Sequence, residues 1–119
     1  MSAPQLDAAT PTSIHLVRKE RESRPVYLDQ VEGEGAPRHL MLQKNDVVIG
    51  RSPEADINVP SQRASRQHAL IARRGTDYQV RDNDSHNGLF LNGIKIHSAI
   101  LRDGDILQIA DAVFIFHES

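Results

Sequence analysis

The sequence predicts an all-β fold, a sandwich or a barrel. Its apolar residues form short runs rich in β-branched and aromatic side chains, and turn-favouring residues interrupt these runs every several positions. No window of about eleven or more residues carries apolar side chains at helical spacing. Repeated short strands with regular turns are typical of such folds, in which rigid sheets hold loops that carry function.

The runs that predict strands begin after Pro25. In the first run, Val26, Leu28 and Gln30 alternate with Tyr27, Asp29 and Val31, as expected for the two faces of a strand. Asn92-Gly93 and Asp103-Gly104 separate later runs and tolerate the positive φ of tight turns. The predicted strands cover residues 26–31, 40–42, 47–49, 70–71, 78–80, 89–91, 94–96, 106–109 and 113–116.

The first 24 residues differ in composition from the rest of the chain. They carry few apolar side chains and end in a mixed-charge run, so we expect residues 1–24 to be a flexible polar tail. A short strand around Ile14, Leu16 and Val17 is the alternative. Residues 25–119 are then one domain, because a chain of 119 residues suffices for one core of ordinary size.

Composition narrows the classes of partner. The formal charge is −2, which gives no overall basic field for nucleic acid, and the apolar runs are far too short to span a membrane. The chain has no cysteine, which excludes disulfides and thiolate zinc sites. The N-terminus lacks the pattern of a signal peptide, so we expect a cytoplasmic location.

Three polar clusters lie between the predicted strands. They combine guanidinium, hydroxyl and carboxamide groups, which together suit the binding of a phosphate. No single cluster is specific for such a site, but the order and spacing of all three together are. The clusters are Gly50-Arg51, then Ser65-Arg66-Gln67-His68, and then Asn87-Gly88 with Asn92-Gly93.

In this order the clusters resemble the forkhead-associated (FHA) domain, and the similarity runs from about Val26 to His117. The connecting stretches Ala55-Asp56-Ile57 and Leu101 to Asp105 also fit. The resemblance implies a twisted antiparallel β-sandwich of about eleven strands. It also implies a non-catalytic module that binds phosphothreonine segments of proteins through loops at one end, in signalling that depends on an upstream Ser/Thr kinase.

The resemblance also assigns roles at the phosphate. It implies that Arg51 contacts the phosphate or the adjacent peptide backbone, and that Ser65 binds the phosphate directly. Arg66 and Arg63 are further phosphate candidates. Each arginine could instead be a solvated surface charge, and an isolated loop serine is more often a turn residue.

Other residues of the pattern would bind the peptide backbone or support the loops. The resemblance implies that Asn87 bonds the peptide main chain beside the phosphothreonine. It makes His68 an architectural residue rather than a catalytic or metal-binding one, because the remaining histidines show no metal-ligand spacing. The residues expected to support the site are Gly50, His68, Gly88, Asn92 and Gly93.

The chain departs from the family pattern at three positions. His86 stands where a small hydroxyl residue usually touches the phosphate, and a histidine donor would favour binding at acid pH. Leu89 replaces a hydroxyl residue and could pack inward, and Ala110 replaces a frequent glycine.

The departures leave an alternative function open. A degenerate phosphate site on the same fold could serve phosphorylation-independent protein interaction or dimerisation. The sequence contains no Gly-rich nucleotide loop, nucleophile elbow or paired-carboxylate motif, so we expect no enzyme activity, metal or cofactor.

The tail suggests one further partner. Thr10 and Thr12 are candidates for phosphorylation, and some members of the family bind their own phosphorylated tail. A flexible chain from Thr12 to Val26 spans about 20 Å, which would suffice for contact with the same domain. An unmodified tail is the alternative.

Overall fold

The computed structural model describes residues 25–118, which form eleven β-strands and no helix. The predicted all-β class is confirmed. The predicted tail, with Thr10, Thr12 and the strand near Ile14, lies outside the described residues. The strands are β1 (Val26–Glu32), β2 (Arg38–Met41), β3 (Asp46–Gly50), β4 (Ile57–Asn58), β5 (Ala69–Arg74), β6 (Asp77–Asp82), β7 (Leu89–Leu91), β8 (Ile94–Ile96), β9 (Ser98–Ile100), β10 (Ile106–Ile109) and β11 (Ala112–Glu118).

The strands of this part of the chain form two sheets. One has the order β2-β1-β11-β10-β7-β8 and the other β4-β3-β5-β6-β9. The pairs are antiparallel apart from β3–β4, which is parallel over two residues. The runs used for prediction missed β4 and β9. β4 has only two residues, and β9 begins with serine and alanine, which do not form a β-branched or aromatic run.

The core forms between the two sheets, where the inward side chains alternate with outward ones. In β11, Phe114 and Phe116 are fully buried, while the intervening Val113 and Ile115 are only half-buried. The facing sheet contributes Ile71 and other buried β-branched residues. Burial of each large apolar side chain contributes roughly 1.5–3 kcal/mol. Among residues 25–118 there is no helix with the length and apolar character needed to cross a membrane.

One buried polar side chain ties the edges of the sheets together. Gln30 of β1 accepts a hydrogen bond of 2.6 Å from Nε of Arg38 and donates to the backbone carbonyls of Glu32 and Glu34. Nη2 of the same arginine donates to the carbonyl of Asn58 in the other sheet, over 2.8 Å. The buried amide is therefore satisfied, and strands β2 and β4 are joined across the edge of the sandwich.

The pairing places six connections at one end of the sandwich. Ala69, at the start of β5, is paired with Ile49 near the end of β3 and with Asp82 at the end of β6. In the other sheet, Leu89 at the start of β7 is paired with Ile109 at the end of β10. The connections at this end are therefore residues 51–56, 59–68, 83–88 and 110–111. Residues 33–37 and 97 lie at the same end, because Glu32 is paired with Val113 and Ile96 with Leu89. At the opposite end, Val26 is paired with Glu118.

Asp56 anchors the end of the first of these connections. Its carboxylate accepts hydrogen bonds from Nζ of Lys44 over 2.7 Å and from the backbone amide of Val48 over 2.8 Å. These two hydrogen bonds lower the pKa of Asp56, although burial acts in the opposite direction. Because the pKa is lower in the folded state, ionised Asp56 stabilises the fold above its ordinary pKa.

The substitution Asp56→Asn should therefore reduce stability at pH 7, by up to about 1 kcal/mol because the ion pair is partly exposed. The difference from the original protein should shrink as the pH falls through the lowered pKa and disappear once the carboxylate is protonated. Urea unfolding between pH 7 and pH 3 measures this difference. Asp46→Asn, at an exposed aspartate of β3, is the control, and an Asp56→Asn difference that did not change with pH would contradict the expectation.

Candidate functional site

The buried ring of His68 joins two of the loops at the end of the sandwich. Its Nδ1 accepts a hydrogen bond of 3.0 Å from the backbone amide of Ser65, and its Nε2 lies 2.8 Å from the carbonyl oxygen of Gly88. Since Nδ1 accepts, the ring hydrogen lies on Nε2 and is donated to that carbonyl. His68 is fully buried, so a neutral ring fixes loop 59–68 to loop 83–88.

Backbone hydrogen bonds attach the end of β3 to the same region. The amides of Arg51 and Ser52 donate to the carbonyls of Ser65 and Arg66, over 2.9 and 3.1 Å. This approach requires glycine at position 50, because a Cβ there would lie 2.2 Å from the carbonyl oxygen of Arg66. Three loops therefore meet at Ser65.

Asn58 holds the connection that follows β3. Its side-chain amide lies within hydrogen-bond distance of the carbonyls of Gly50, Arg51 and Ser52, at 3.4, 3.1 and 3.1 Å. The backbone amide of Val59 also donates to Gly50 over 2.8 Å. These bonds satisfy carbonyls that the two-residue pairing of β3 with β4 leaves free, and they fix the backbone of Arg51.

The side chains of Arg51, Ser65 and Arg66 keep donors for a ligand. Nε of Arg51 donates to the carbonyl of Ala64 over 3.1 Å, which holds the guanidinium beside the Ser65 loop. Within residues 25–118, its Nη groups and the exposed guanidinium of Arg66 make no hydrogen bond. The Ser65 hydroxyl accepts from the amide of His86 over 3.0 Å and keeps its own hydrogen.

Asn87 lies next to these donors. Its Nδ2 donates to the carbonyl of Arg63 over 2.7 Å, which ties loop 83–88 to loop 59–68 a second time. A carboxamide has a second hydrogen and an acceptor oxygen, and neither has a hydrogen-bond partner within the part of the chain that the structure describes. Asn87 is exposed and can therefore bond both an N–H and a carbonyl of an extended peptide.

Arg63 has a different environment from the other two arginines. Its Nη1 lies 3.1 Å from Oδ1 of Asp111, and Oδ2 of that carboxylate accepts a hydrogen bond of 2.9 Å from the Ser61 hydroxyl. The sequence did not suggest this contact, since the two charged residues are far apart along the chain. Arg51 and Arg66 thus carry the positive charge at Ser65, while Asp111 offsets that of Arg63.

Ser85 and Asp82 support the site, a role that was not predicted from the sequence. The Ser85 hydroxyl donates to Oδ1 of Asp82 over 2.5 Å and accepts from the amide of Gly88 over 2.9 Å. The amide of Ser85 also donates to Oδ2 of Asp82. An aspartate three residues before a serine is a local turn pattern, and that signal could have revealed the pair. Together they shape the loop that carries His86 and Asn87.

The remaining predicted residues divide by position. Leu89 is fully buried in the core. Ala110 has a φ of 54°, in the left-handed region where glycine is favoured. Asn92 and Gly93 form the turn after β7, at the opposite end of that strand from Asn87, so they are not part of the loop cluster. There Asn92 donates to Asp105 and accepts from the amide of Ile106.

Comparison with known proteins identifies the family. The family model described as the FHA domain matches residues 47–110, more than half of the chain. The chain belongs to the FHA family. The match includes the Arg51, Ser65 and Asn87 loops, and the eleven described strands in two sheets agree with the architecture that the sequence resemblance implied.

Relatives carry this FHA domain within longer chains. The protein is 40% identical over 75 residues to the ABC transporter ATP-binding/permease protein Rv1747 of Mycobacterium tuberculosis, a match that covers 63% of this chain and 9% of the transporter. It is 39% identical over 92 residues to the transcriptional regulatory protein EmbR of the same species, covering 76% of this chain and 23% of EmbR. The sequence matches therefore span less than a quarter of either relative.

Solved FHA structures have the same fold. EmbR of Mycobacterium tuberculosis, solved in complex with a low affinity phosphopeptide, superposes with a TM-score of 0.76 at 29% identity, covering 100% of this chain and 33% of EmbR. A structure from a structural and functional analysis of phosphothreonine-dependent FHA domain interactions gives a TM-score of 0.71 at 27% identity, with 78% and 95% coverage.

The close approach at Gly50 leads to a stability prediction. Gly50→Ala should lower the free energy of unfolding by about 2–3 kcal/mol, because the new methyl group must displace the backbone at Arg66. Urea unfolding at equilibrium measures the loss. Gly75→Ala is the matched control, because Gly75 has a positive φ but open space around its Cβ position, and its loss should be only about 1–2 kcal/mol. Equal losses would contradict the role given to Gly50.

Proposed function

We propose that this FHA domain is a non-catalytic module that binds phosphothreonine-containing segments of proteins. The observation that carries the proposal is the arrangement at Ser65. Its backbone is held by His68 and Arg51, while its hydroxyl and two neighbouring guanidinium groups keep donors for a ligand.

The charge at the site suits a phosphate. A phosphothreonine carries nearly two negative charges and three strong acceptor oxygens. Arg51 and Arg66 supply charge and directed donors, and Ser65 supplies a short hydroxyl donor. A peptide with an unphosphorylated threonine would desolvate these arginine and serine groups without supplying an anion to compensate the cost. Phosphorylation therefore controls binding.

Asn87 supplies the contact to the peptide main chain. Its bond to the Arg63 carbonyl fixes the carboxamide in place before a ligand arrives. The acceptor oxygen and second hydrogen of the carboxamide then suit the polar groups of an extended backbone. Since every peptide has such groups, this contact orients the ligand without selecting a sequence. We expect affinities that are micromolar at best, about −8 kcal/mol, because the loops form an open surface.

The comparisons support a signalling context for this proposal. EmbR was solved with a phosphopeptide, and another FHA structure belongs to a study of phosphothreonine-dependent interactions. By analogy we infer a partner protein that an upstream Ser/Thr kinase phosphorylates on threonine, and we place the interaction in the cytoplasm with that kinase. The match to regulatory proteins agrees with a binding role rather than an enzymatic one.

The alternative is phosphorylation-independent binding on the same fold, and the histidine at position 86 is the observation that favours it. An array of phosphothreonine peptides beside their unphosphorylated twins separates the two functions. We expect binding only to the phosphorylated set. Equal binding to both sets would reject the proposal in favour of the alternative.

Removing either donor should strongly weaken phosphate recognition. Arg51→Ala and Ser65→Ala should each weaken binding of a phosphothreonine peptide by up to about 100-fold, because each removes charge-assisted hydrogen bonds to phosphate. Thermal unfolding should change little. The backbone bonds at both positions remain, and the lost side-chain bonds, from Arg51 to the Ala64 carbonyl and from the His86 amide to the Ser65 hydroxyl, are partly buried and exposed, respectively. Isothermal titration calorimetry measures the affinity.

Arg81→Ala is the matched control for these variants. Arg81 is an exposed arginine of β6, so its removal changes the net charge as Arg51→Ala does, without touching the loops. Its affinity for the peptide should stay within about two-fold of the original. Retained binding in both Arg51→Ala and Ser65→Ala would show that the phosphate is held elsewhere.

His86 is adjacent to the proposed phosphate site, because its backbone amide donates to the Ser65 hydroxyl over 3.0 Å. Its side chain is exposed, and we expect it to supply a further donor to the phosphate. His86→Ala should therefore weaken binding of a phosphothreonine peptide severalfold, as calorimetry measures. An unchanged affinity would exclude a phosphate contact by His86.

A further inference from the structure

The contact between Arg63 and Asp111 leads to an inference about peptide selectivity, which rests on the proposed function. Nη1 of Arg63 lies 3.1 Å from the Asp111 carboxylate, and these side chains are 74% and 53% exposed. An exposed ion pair contributes no more than about 1 kcal/mol, so a ligand can replace it. The pair therefore determines the local charge of the surface that a ligand contacts beside Arg63.

Asp111 keeps its place independently of the Arg63 side chain. Its Oδ2 accepts a hydrogen bond of 2.9 Å from the Ser61 hydroxyl, which in turn accepts from the amide of Arg63. Its backbone is also confined, because Gly33 approaches so closely that a Cβ there would lie 2.9 Å from the carbonyl oxygen of Asp111. The carboxylate is thus a fixed feature of the surface.

The ion pair borders an open pocket of about 260 Å³. Phe90 and Ala110 supply apolar surface, and Asn87, Gln108, Arg63 and Asp111 supply the polar groups. Since Asn87 is also the proposed contact to the peptide backbone, a peptide held by this residue passes the mouth of the pocket. A side chain close in sequence to the phosphothreonine can enter it.

We propose that this pocket receives one side chain flanking the phosphothreonine, and that Asp111 determines which side chain binds there by occupying Arg63. An unpaired Arg63 would select an acidic side chain. Because Asp111 already supplies the carboxylate, an acidic side chain gains no free cation and meets a like charge. The domain therefore disfavours aspartate or glutamate at this peptide position and accepts neutral side chains over Phe90.

The test is a set of phosphothreonine peptides in which alanine is replaced by aspartate at one position at a time, from three residues before the phosphothreonine to four after it. Calorimetry with the original protein and with Asp111→Asn gives the affinity ratio of each aspartate peptide to the alanine peptide. In Asp111→Asn this ratio should rise about three- to five-fold at one position, the size expected for an exposed ion pair. The double variant Asp111→Asn/Arg63→Gln should not show this rise in the ratio, because it lacks the arginine that would bind the aspartate.

Asp84→Asn is the matched control. Asp84 is an exposed aspartate of loop 83–88 outside the pocket, and its φ of 54° suits asparagine. This substitution removes the same charge near the site and should change the affinity for all the peptides by the same factor. The role of Asp111 would be overturned if the affinity gain of Asp111→Asn for aspartate peptides were equal at all peptide positions. It would also be overturned if the gain remained in the double variant.

The outcomes separate this inference from the proposed function. If the alanine phosphopeptide binds and its unphosphorylated twin does not, the function stands whatever the aspartate ratios show. If both alanine peptides bind equally, the proposed function fails and the inference fails with it. If phosphorylation is required but no position responds to Asp111→Asn, the inference alone is wrong.

Discussion

The site depends on one buried imidazole. His68 accepts from the amide of Ser65 and donates to the carbonyl of Gly88, so one neutral ring satisfies a polar group on each of two loops. The bond to Gly88 is buried and the bond from Ser65 is partly buried, and an unpaired polar group in a buried position costs about 1–3 kcal/mol. An apolar side chain of similar volume could not replace the ring, because it could not make these two hydrogen bonds. The ring therefore also fixes the positions of the exposed donors around Ser65.

Charge distribution explains how a chain with a net charge of −2 can present an anion site. Arg51 and Arg66 flank Ser65 without an acidic partner among residues 25–118, whereas the charge of Arg63 is offset by Asp111. The local arrangement, and not the total charge, therefore determines what these loops can bind. It also separates phosphate capture, at Ser65, from the choice of neighbouring residues, near Asp111.

The sequence was sufficient where a local pattern encodes the structure, and insufficient where the contact is distant. Alternation of two sets of side chains predicted β1, a short apolar run predicted β11, and the turn residues between the runs predicted the loops. The two-residue strand β4 has no pattern to detect. The pairing of Arg63 with Asp111 depends on how residues 59–68 and the turn after β10 meet in space, and neither segment carries a sign of the other. The family resemblance gave the order of the loops, not their hydrogen bonds.

The pairing of Val26 with Glu118 has a consequence for the architecture of longer proteins. The two ends of the folded domain lie side by side, at the end of the sandwich opposite the peptide-binding loops. The domain can thus be joined to other domains on either side, or inserted into a surface loop of a host, while its ligand approaches from the far side. Seven residues of β1 extend about 23 Å, so a segment that precedes Val26 must travel the length of the sandwich to reach Ser65.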